Sequence, residues 1–350
     1  MGDILHALPA VTALRQAHPG WVIDWVVEPR WSALLAAEGS SGRGLHSPGC
    51  PPNPEQPVVD HLHFAATKEW RKAIFSRETV SAIRSLRHGL RDGRYDVTLD
   101  LQGALRSSIL ASLTGSRRRI GEADPREKAA VWFSTERVST QGAHVIEQGV
   151  ELASSIAGDE LEPVQPWLPV DPAAEGWAEQ VMPHSGGQPS ILINPGAGWG
   201  AKRWPVERYA AVACHLAACG FRIIVNAGPG EEQLAEAIVN QAGGAALVLR
   251  CSLAQLIAVT RRVELAIAGD TGPLHLACAL DRPVVGIYGP TDPSRNGPFG
   301  TRFRVLRNPE SKRDHTRYED PESGLLTIQP EEVLRAAEEL LYPEKAPQTV

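Results

Sequence analysis

Cysteine is scarce in this 350-residue chain, and the five present form neither a C-x-x-C pair nor a Cys/His spacing suited to zinc. Cys50, Cys214, Cys219, Cys251 and Cys278 therefore read as buried thiols of a protein kept in a reducing cytosol. Long apolar runs are missing too. None approaches the ~20 residues that a membrane-crossing helix needs, so the expectation is a chain that does not span a bilayer. The opening Met1-Gly2-Asp3-Ile4-Leu5-His6 has no basic stretch leading into an apolar one, and no secretory leader is expected. Positive charge is in deficit: the formal net charge is −6, which argues against a dedicated nucleic-acid partner. No D-x-D pair or His/carboxylate cluster offers a metal site.

What is present is ordinary in bulk and informative in order. The chain is 43% hydrophobic and 22% charged, a balance that builds globular cores, and its length suits two domains. Strand and helix patterns alternate, which predicts α/β architecture with doubly wound parallel sheets. In the first half the spacing predicts a helix over Ile4 to Ala17, a strand over Trp21 to Val27 and a helix over Trp31 to Ala37. A Ser/Gly/Pro-rich loop over Ser40 to Pro57 follows, then a strand over Val58 to Phe64 and an amphipathic helix from Arg71 to Arg91. A strand over Tyr95 to Leu101 and a helix over His144 to Ala157 complete this half. The proline-rich Asp159 to Pro172 breaks the pattern. The division is thus a domain over 1–160, a linker over 161–172, a second domain over 173–328, and a C-terminal helix with tail over 329–350. Strands are expected at Ser190–Asn194, Phe221–Asn226, Ala246–Leu249, Val263–Ala268 and Val284–Tyr288, and a last helix at Pro330–Leu341. A doubly wound domain normally opens on a central strand, whereas this chain starts directly in a loop and a helix. The expectation is that the first strand, about ten residues, lies upstream of Met1.

Ligands of open α/β sheets bind beyond the carboxyl ends of the strands, which selects a few loops. Asp3 stands where a helix begins: it is an N-cap, or a general base facing the cleft between the domains. Asn194-Pro195-Gly196-Ala197-Gly198-Trp199-Gly200-Ala201-Lys202-Arg203 joins a strand to a helix. Its glycines let backbone approach an anion, and its two cations suit phosphate. Gly269-Asp270-Thr271-Gly272-Pro273-Leu274-His275 opens a helix whose first amides suit a diphosphate; His275 alone reads as a structural histidine. Tyr288 to Pro293 is explicable by turn chemistry. Lys68, Arg71 and Lys72 cluster around Trp70, and Arg106 follows Gln102-Gly103. A solvated helix face is the ordinary explanation of such charges, and an anionic ligand is the other.

Taken together, GDILHALPA, WVIDWVVE, EWRKAIFS, YDVTLDLQG, NPGAGWGAKRWP, AGDTGPLHLACALDRP and YGPTDP resemble the ADP-heptose:lipopolysaccharide heptosyltransferases, in that family's order and over nearly the whole chain. The WRKAIFS and DLQG stretches are most similar to heptosyltransferase I. The resemblance implies two Rossmann-like domains in the B-type glycosyltransferase fold, an acceptor site in the first and an ADP-heptose site mainly in the second. It implies inverting transfer of heptose to the Kdo of Kdo-lipid A, without metal or other cofactor. By position, Asp3 is implied as base and Lys202 as stabiliser of the departing diphosphate. Gly196, Ala197, Asp270, Thr271, Gly272 and His275 would line the donor site, and Lys68, Arg71, Lys72 and Arg106 would meet the acceptor. The acceptor's place implies a cytoplasmic protein in peripheral contact with the inner membrane. Departures from the family are the absent opening strand, Gly196-Ala197-Gly198 where threonines are usual, and Glu69 within the basic cluster. A related transferase with another donor or acceptor, and a nucleotide-sugar-binding module without catalysis, are the alternatives.

Overall fold

The structure is a computed structural model describing residues 1–40, 53–182, 188–311 and 319–343. Cys50, most of the loop expected over Ser40 to Pro57 and the end of the tail lie outside the described residues. The chain divides into two compact units, with the boundary between Asp171 and Pro172.

Unit 1 begins with helix α1 (Gly2–Ala17), followed by β1 (Asp24–Val27), a 3-10 turn (Pro29–Leu34) and β2 (His61–Phe64). Then come the short α2 (Thr67–Trp70), α3 (Arg77–Asp92), β3 (Val97–Leu99), α4 (Leu105–Leu113) and β4 (Arg118–Glu122). A 3-10 turn (Lys128–Phe133), β5 (Glu136–Val138) and α5 (Val145–Ala157) complete it. All its strand pairs are parallel, in two sheets: β1-β2, and β3-β4-β5. Its apolar interior includes Leu5, Leu8 and Val11 of α1, Leu34, Leu35, Val58 and Val59, all buried. Ala10 and Leu14 of α1 pack on Val150, Ala153 and Ala157 of α5, while Leu86 and Leu90 of α3 meet Ala65, with Trp70 and Tyr95 alongside. A buried Arg15 guanidinium donates to Asp60 (2.5 Å) and to the carbonyls of Val58 and Trp21, holding α1 to the chain around β1 and β2.

Unit 2 runs α6 (Pro172–Val181), β6 (Ser190–Asn194), a 3-10 turn (Gly200–Lys202), α7 (Val206–Ala218), β7 (Arg222–Asn226), α8 (Glu232–Gln241) and β8 (Ala246–Leu249). It continues with α9 (Leu253–Thr260), β9 (Leu265–Gly269), α10 (Gly272–Ala279), β10 (Val284–Tyr288), α11 (Pro293–Asn296), β11 (Phe303–Arg307) and α12 (Pro330–Leu341). The six parallel strands lie in the order β11-β10-β9-β6-β7-β8. The order reverses between β6 and β9, which makes their carboxyl ends the topological switch point of a doubly wound sheet. β6, β9 and β10 are fully buried, as strands covered on both faces must be. α12 belongs to this core through Val333, Ala336, Ala337 and Leu340. Buried Trp204 packs edge-on against Tyr209 and donates its indole N–H to the Ile328 carbonyl (3.1 Å).

Several sequence expectations change. The helix expected over Trp31 to Ala37 is a 3-10 turn over Pro29–Leu34. Cys214 and Cys219 are exposed and Cys251 is partly exposed, not buried. α7 turns Tyr209, Ala210, Val212, Ala213 and Leu216 inward and leaves Cys214 on its other side, and Cys219 lies at its C-cap. The helix expected from Arg71 begins at Arg77, where the Ser76 hydroxyl caps it by accepting from Thr79 N (3.1 Å).

Candidate functional site

Each unit gathers its polar residues at strand ends. In unit 2, β6 delivers Asn194 and the glycine-containing loop, and β9 delivers Asp270. The Lys202 ammonium bonds the Asp270 carboxylate and lies 4.5 Å from the centre of the Trp199 ring, a cation–π contact. It also faces the Asp270 carbonyl at 3.4 Å. His275 Nε2 stands 3.5 Å from the other Asp270 oxygen. Burial alone would raise the Asp270 pKa, but the His275 bond and the Lys202 charge outweigh it and hold the carboxyl well below its usual range. Lys202, Asp270 and His275 thus form one largely buried charged node at the switch point. Thr271 is the N-cap of α10 with no side-chain cap bond, its hydroxyl facing the Gly269 carbonyl (3.3 Å). Pro273 has no amide hydrogen, and Leu274 N donates to Thr271 O (3.1 Å). The amides that can face a ligand therefore narrow to the Thr271–Gly272 end.

The glycine loop holds a residue that its own sequence does not announce. A Cβ on Gly196 would stand 2.0 Å from a Glu231 carboxylate oxygen, and one on Gly228 would stand 2.5 Å from it. Absence of side chains at 196 and 228 admits this carboxylate. Burial raises its pKa, against the lowering effect of the Gly228 backbone and the Arg203 charge. A carboxylate there can accept hydrogen bonds from hydroxyls and repels an anion, so the positive charge this loop offers stands at Lys202 and not at Gly196. Beneath it, buried Asn226 Nδ2 donates to Asn194 Oδ1 (2.9 Å), joining the ends of β6 and β7. The Tyr288 to Pro293 stretch is held by turn chemistry: Arg307 donates to the carbonyls of Gly289 and Thr291, and Asp292 caps α11.

In unit 1, Asp3 lies inside the first turn of α1, whose N-cap is Met1, and its side chain caps nothing. Its carboxylate accepts from Gln102 Nε2 (2.5 Å) and stands 3.9 Å from Arg126 Nη1. Gln102 is placed by buried Asp100, which accepts from the backbone amides of Gln102 (3.0 Å) and Gly103 (3.2 Å) and from Ser108 Oγ (2.5 Å). Gly103 has φ +61 and sits against Pro125 and Arg126, a left-handed turn that suits glycine. Nearby, Arg106 Nη1 donates to Thr67 Oγ1 (3.3 Å), the Thr67 hydroxyl donates to Glu28, and Lys68 N donates to Glu28 Oε1 (3.1 Å). Lys68, Arg71, Lys72 and Arg106 are all exposed. The structure thus places Asp3 with Gln102 and Arg126, and Arg106 with Thr67. Among the described residues no group of three or more His, Cys, Asp or Glu is positioned to hold a metal ion, and no helix is long and apolar enough to cross a membrane.

The model of glycosyltransferase family 9 (heptosyltransferase) matches residues 83–326. Lipopolysaccharide heptosyltransferase 1 of Escherichia coli K12 is 28% identical over 313 residues, covering 88% of this chain and 91% of that protein. Lipopolysaccharide heptosyltransferase 2 of the same organism is 27% identical over 99% of this chain and 97% of its own length. Among solved structures, E. coli heptosyltransferase WaaC with ADP superposes with a TM-score of 0.77 at 27% identity, covering 97% of each chain.

Proposed function

The chain belongs to glycosyltransferase family 9, and from that premise we propose that it moves L-glycero-D-manno-heptose from ADP-heptose to the Kdo of Kdo-lipid A, inverting the anomeric carbon. The observation that carries this reading is the Lys202–Asp270–His275 node at the switch point of unit 2. When the bond from the sugar to the diphosphate breaks, negative charge grows on the leaving oxygen. A lysine already fixed by Asp270 meets that charge without reorganising. The Thr271–Gly272 end of α10 adds amide donors, and His275 keeps Asp270 in place. Glu231, beside Gly196 and Ala197, accepts hydroxyls of the donor.

Asp3 is the base of this reading. It takes the proton of the acceptor hydroxyl as that oxygen attacks the anomeric carbon, and Gln102 fixes the carboxylate's rotation. Lys68, Arg71, Lys72 and Arg106 pair with phosphates and carboxylates of the acceptor. Leaving-group charge falls to Lys202 and backbone amides, so transfer continues in the presence of a chelator. The acceptor, a lipid, brings the protein to the cytoplasmic face of the inner membrane.

The test is incubation with ADP-heptose and Kdo-lipid A, followed by mass spectrometry of the lipid. One added heptose supports the reading; an unchanged lipid alongside a working control enzyme removes it. The match to lipopolysaccharide heptosyltransferase 2 along nearly the whole chain favours a second reading, transfer onto a core that already bears a heptose. Offering both acceptors together separates the two.

A further inference from the structure

Between α2 and α3 the chain turns an aromatic side chain almost entirely into solvent. Phe75 is 94% exposed and its neighbour Ile74 55% exposed, whereas Trp70, one turn earlier, packs inward beside Leu86 and Leu90. The turn is a fixed one. Lys72 N bonds Glu69 O, Ala73 N bonds Trp70 O, Ser76 N bonds Ala73 O, and Ser76 then caps α3. The exposed pair stands among Lys68, Arg71, Lys72 and Arg77, all exposed, with Glu69 and Glu78 as the opposing charges. Through Arg106 and Thr67 this segment adjoins α4. Against α4 packs the 3-10 turn carrying Trp132, which is 79% exposed beside exposed Lys128. Large side chains presented to water within a collar of cations, on a chain of formal charge −6, match the chemistry of an anionic bilayer surface: head groups for the cations, the upper acyl region for the rings.

We propose that Ile74 and Phe75, with Trp132 on the 3-10 turn packed against α4, insert into the interface of a bilayer bearing anionic lipid, and that Arg77 and Lys128, cations not given to the acceptor, hold its head groups. This rests on the reading of a lipid-borne acceptor and names the surface through which the chain reaches it.

The experiment is co-flotation of the full chain with vesicles of phosphatidylcholine alone, and of equal parts phosphatidylcholine and phosphatidylglycerol. Wild type floats with the anionic vesicles and much less with the neutral ones. The Ile74→Ser/Phe75→Ser variant partitions roughly tenfold more weakly, with unchanged circular dichroism and unchanged transfer to a water-soluble, acyl-free Kdo acceptor. Trp132→Ser weakens flotation in the same direction. Equal flotation of variant and wild type, or none with anionic vesicles, overturns the proposal. So does a wild-type dimer that the double substitution dissociates, since a second copy would then cover the patch. Flotation without heptose transfer leaves the surface standing and removes the transfer reading; transfer to the soluble acceptor without flotation does the reverse.

Discussion

Replacing Asp3 by Asn keeps a side chain able to pair with Gln102 while removing the oxygen that would take the acceptor's proton. A positioned general base is worth about 10²–10⁴-fold in rate, so kcat is expected to fall by that range while ADP affinity, followed by calorimetry, stays within about twofold. Unchanged turnover would assign the proton to another group. Lys202→Ala acts on the other side of the reaction. It removes the cation that meets the leaving diphosphate and is expected to lower kcat about 10²–10³-fold, with a weaker hold on ADP as well. That Lys202, Asp270 and His275 lie together was legible because the loops after β6 and β9 end at one edge of the sheet, and Asp3 stands at a helix start as read. Glu231 and Arg126 were not legible. Their roles arise from backbone approach at Gly196 and Gly103, and a glycine announces space without saying which side chain will fill it.

At the scale of elements, the 3-10 turn Gly200–Lys202 is the mount on which Lys202 stands. A Cβ on Gly200 would lie 1.5 Å from the carbonyl oxygen of Glu319, whereas one on Gly198 meets nothing within 4 Å. Neither glycine has a left-handed φ, so the difference is one of space. Gly200→Ala must push backbone against backbone and carry Lys202 away from Asp270. A displacement on the order of 1 Å costs about 10²-fold in the chemical step. The expected result is a loss of that size in kcat/KM for Gly200→Ala, little change for Gly198→Ala, and unchanged far-ultraviolet dichroism for both; equal activities would show that the mount does not position the lysine. The elements themselves were readable in proportion to their burial. β6 and β10 fall where continuous apolar runs predict them, because unit 2 covers these strands on both faces. β4, β5 and β11 went unseen. Arg118-Arg119-Ile120-Gly121-Glu122, Glu136-Arg137-Val138 and Phe303-Arg304-Val305-Leu306-Arg307 are partly exposed, and they carry charge where a hydrophobic pattern would be sought. Arg118 even pairs with Glu136 across adjacent strands, a contact that only pairing creates.

For the molecule as a whole, the two units hold their strands together by different means. Unit 2 has six strands in one sheet, with a large apolar cluster against it. Unit 1 divides its strands between two sheets, and a polar node ties them. Asp24 of β1 accepts from Tyr95 Oη (2.6 Å), which precedes β3, and from His61 (2.9 Å) and His63 (3.3 Å) of β2. Burial would raise the Asp24 pKa, but the bonds from His63, Tyr95 and His61 override it and bring it down to about 2. Because the folded value lies below the unfolded one, this node stabilises unit 1 fully above about pH 4. The contribution, about 1 kcal/mol once solvent screening at this half-buried carboxylate is discounted, is lost as pH falls from there through about 2. Unit 1 is therefore expected to open first in acid. Hydrogen exchange at the β1, β2 and β3 amides should accelerate, relative to those of β6 and β9, as pH drops from 4 toward 2. Asp24→Asn should show that acceleration already at neutral pH and lose the extra acid sensitivity. Parallel acid profiles for wild type and Asp24→Asn would mean that the node contributes nothing to the stability of unit 1.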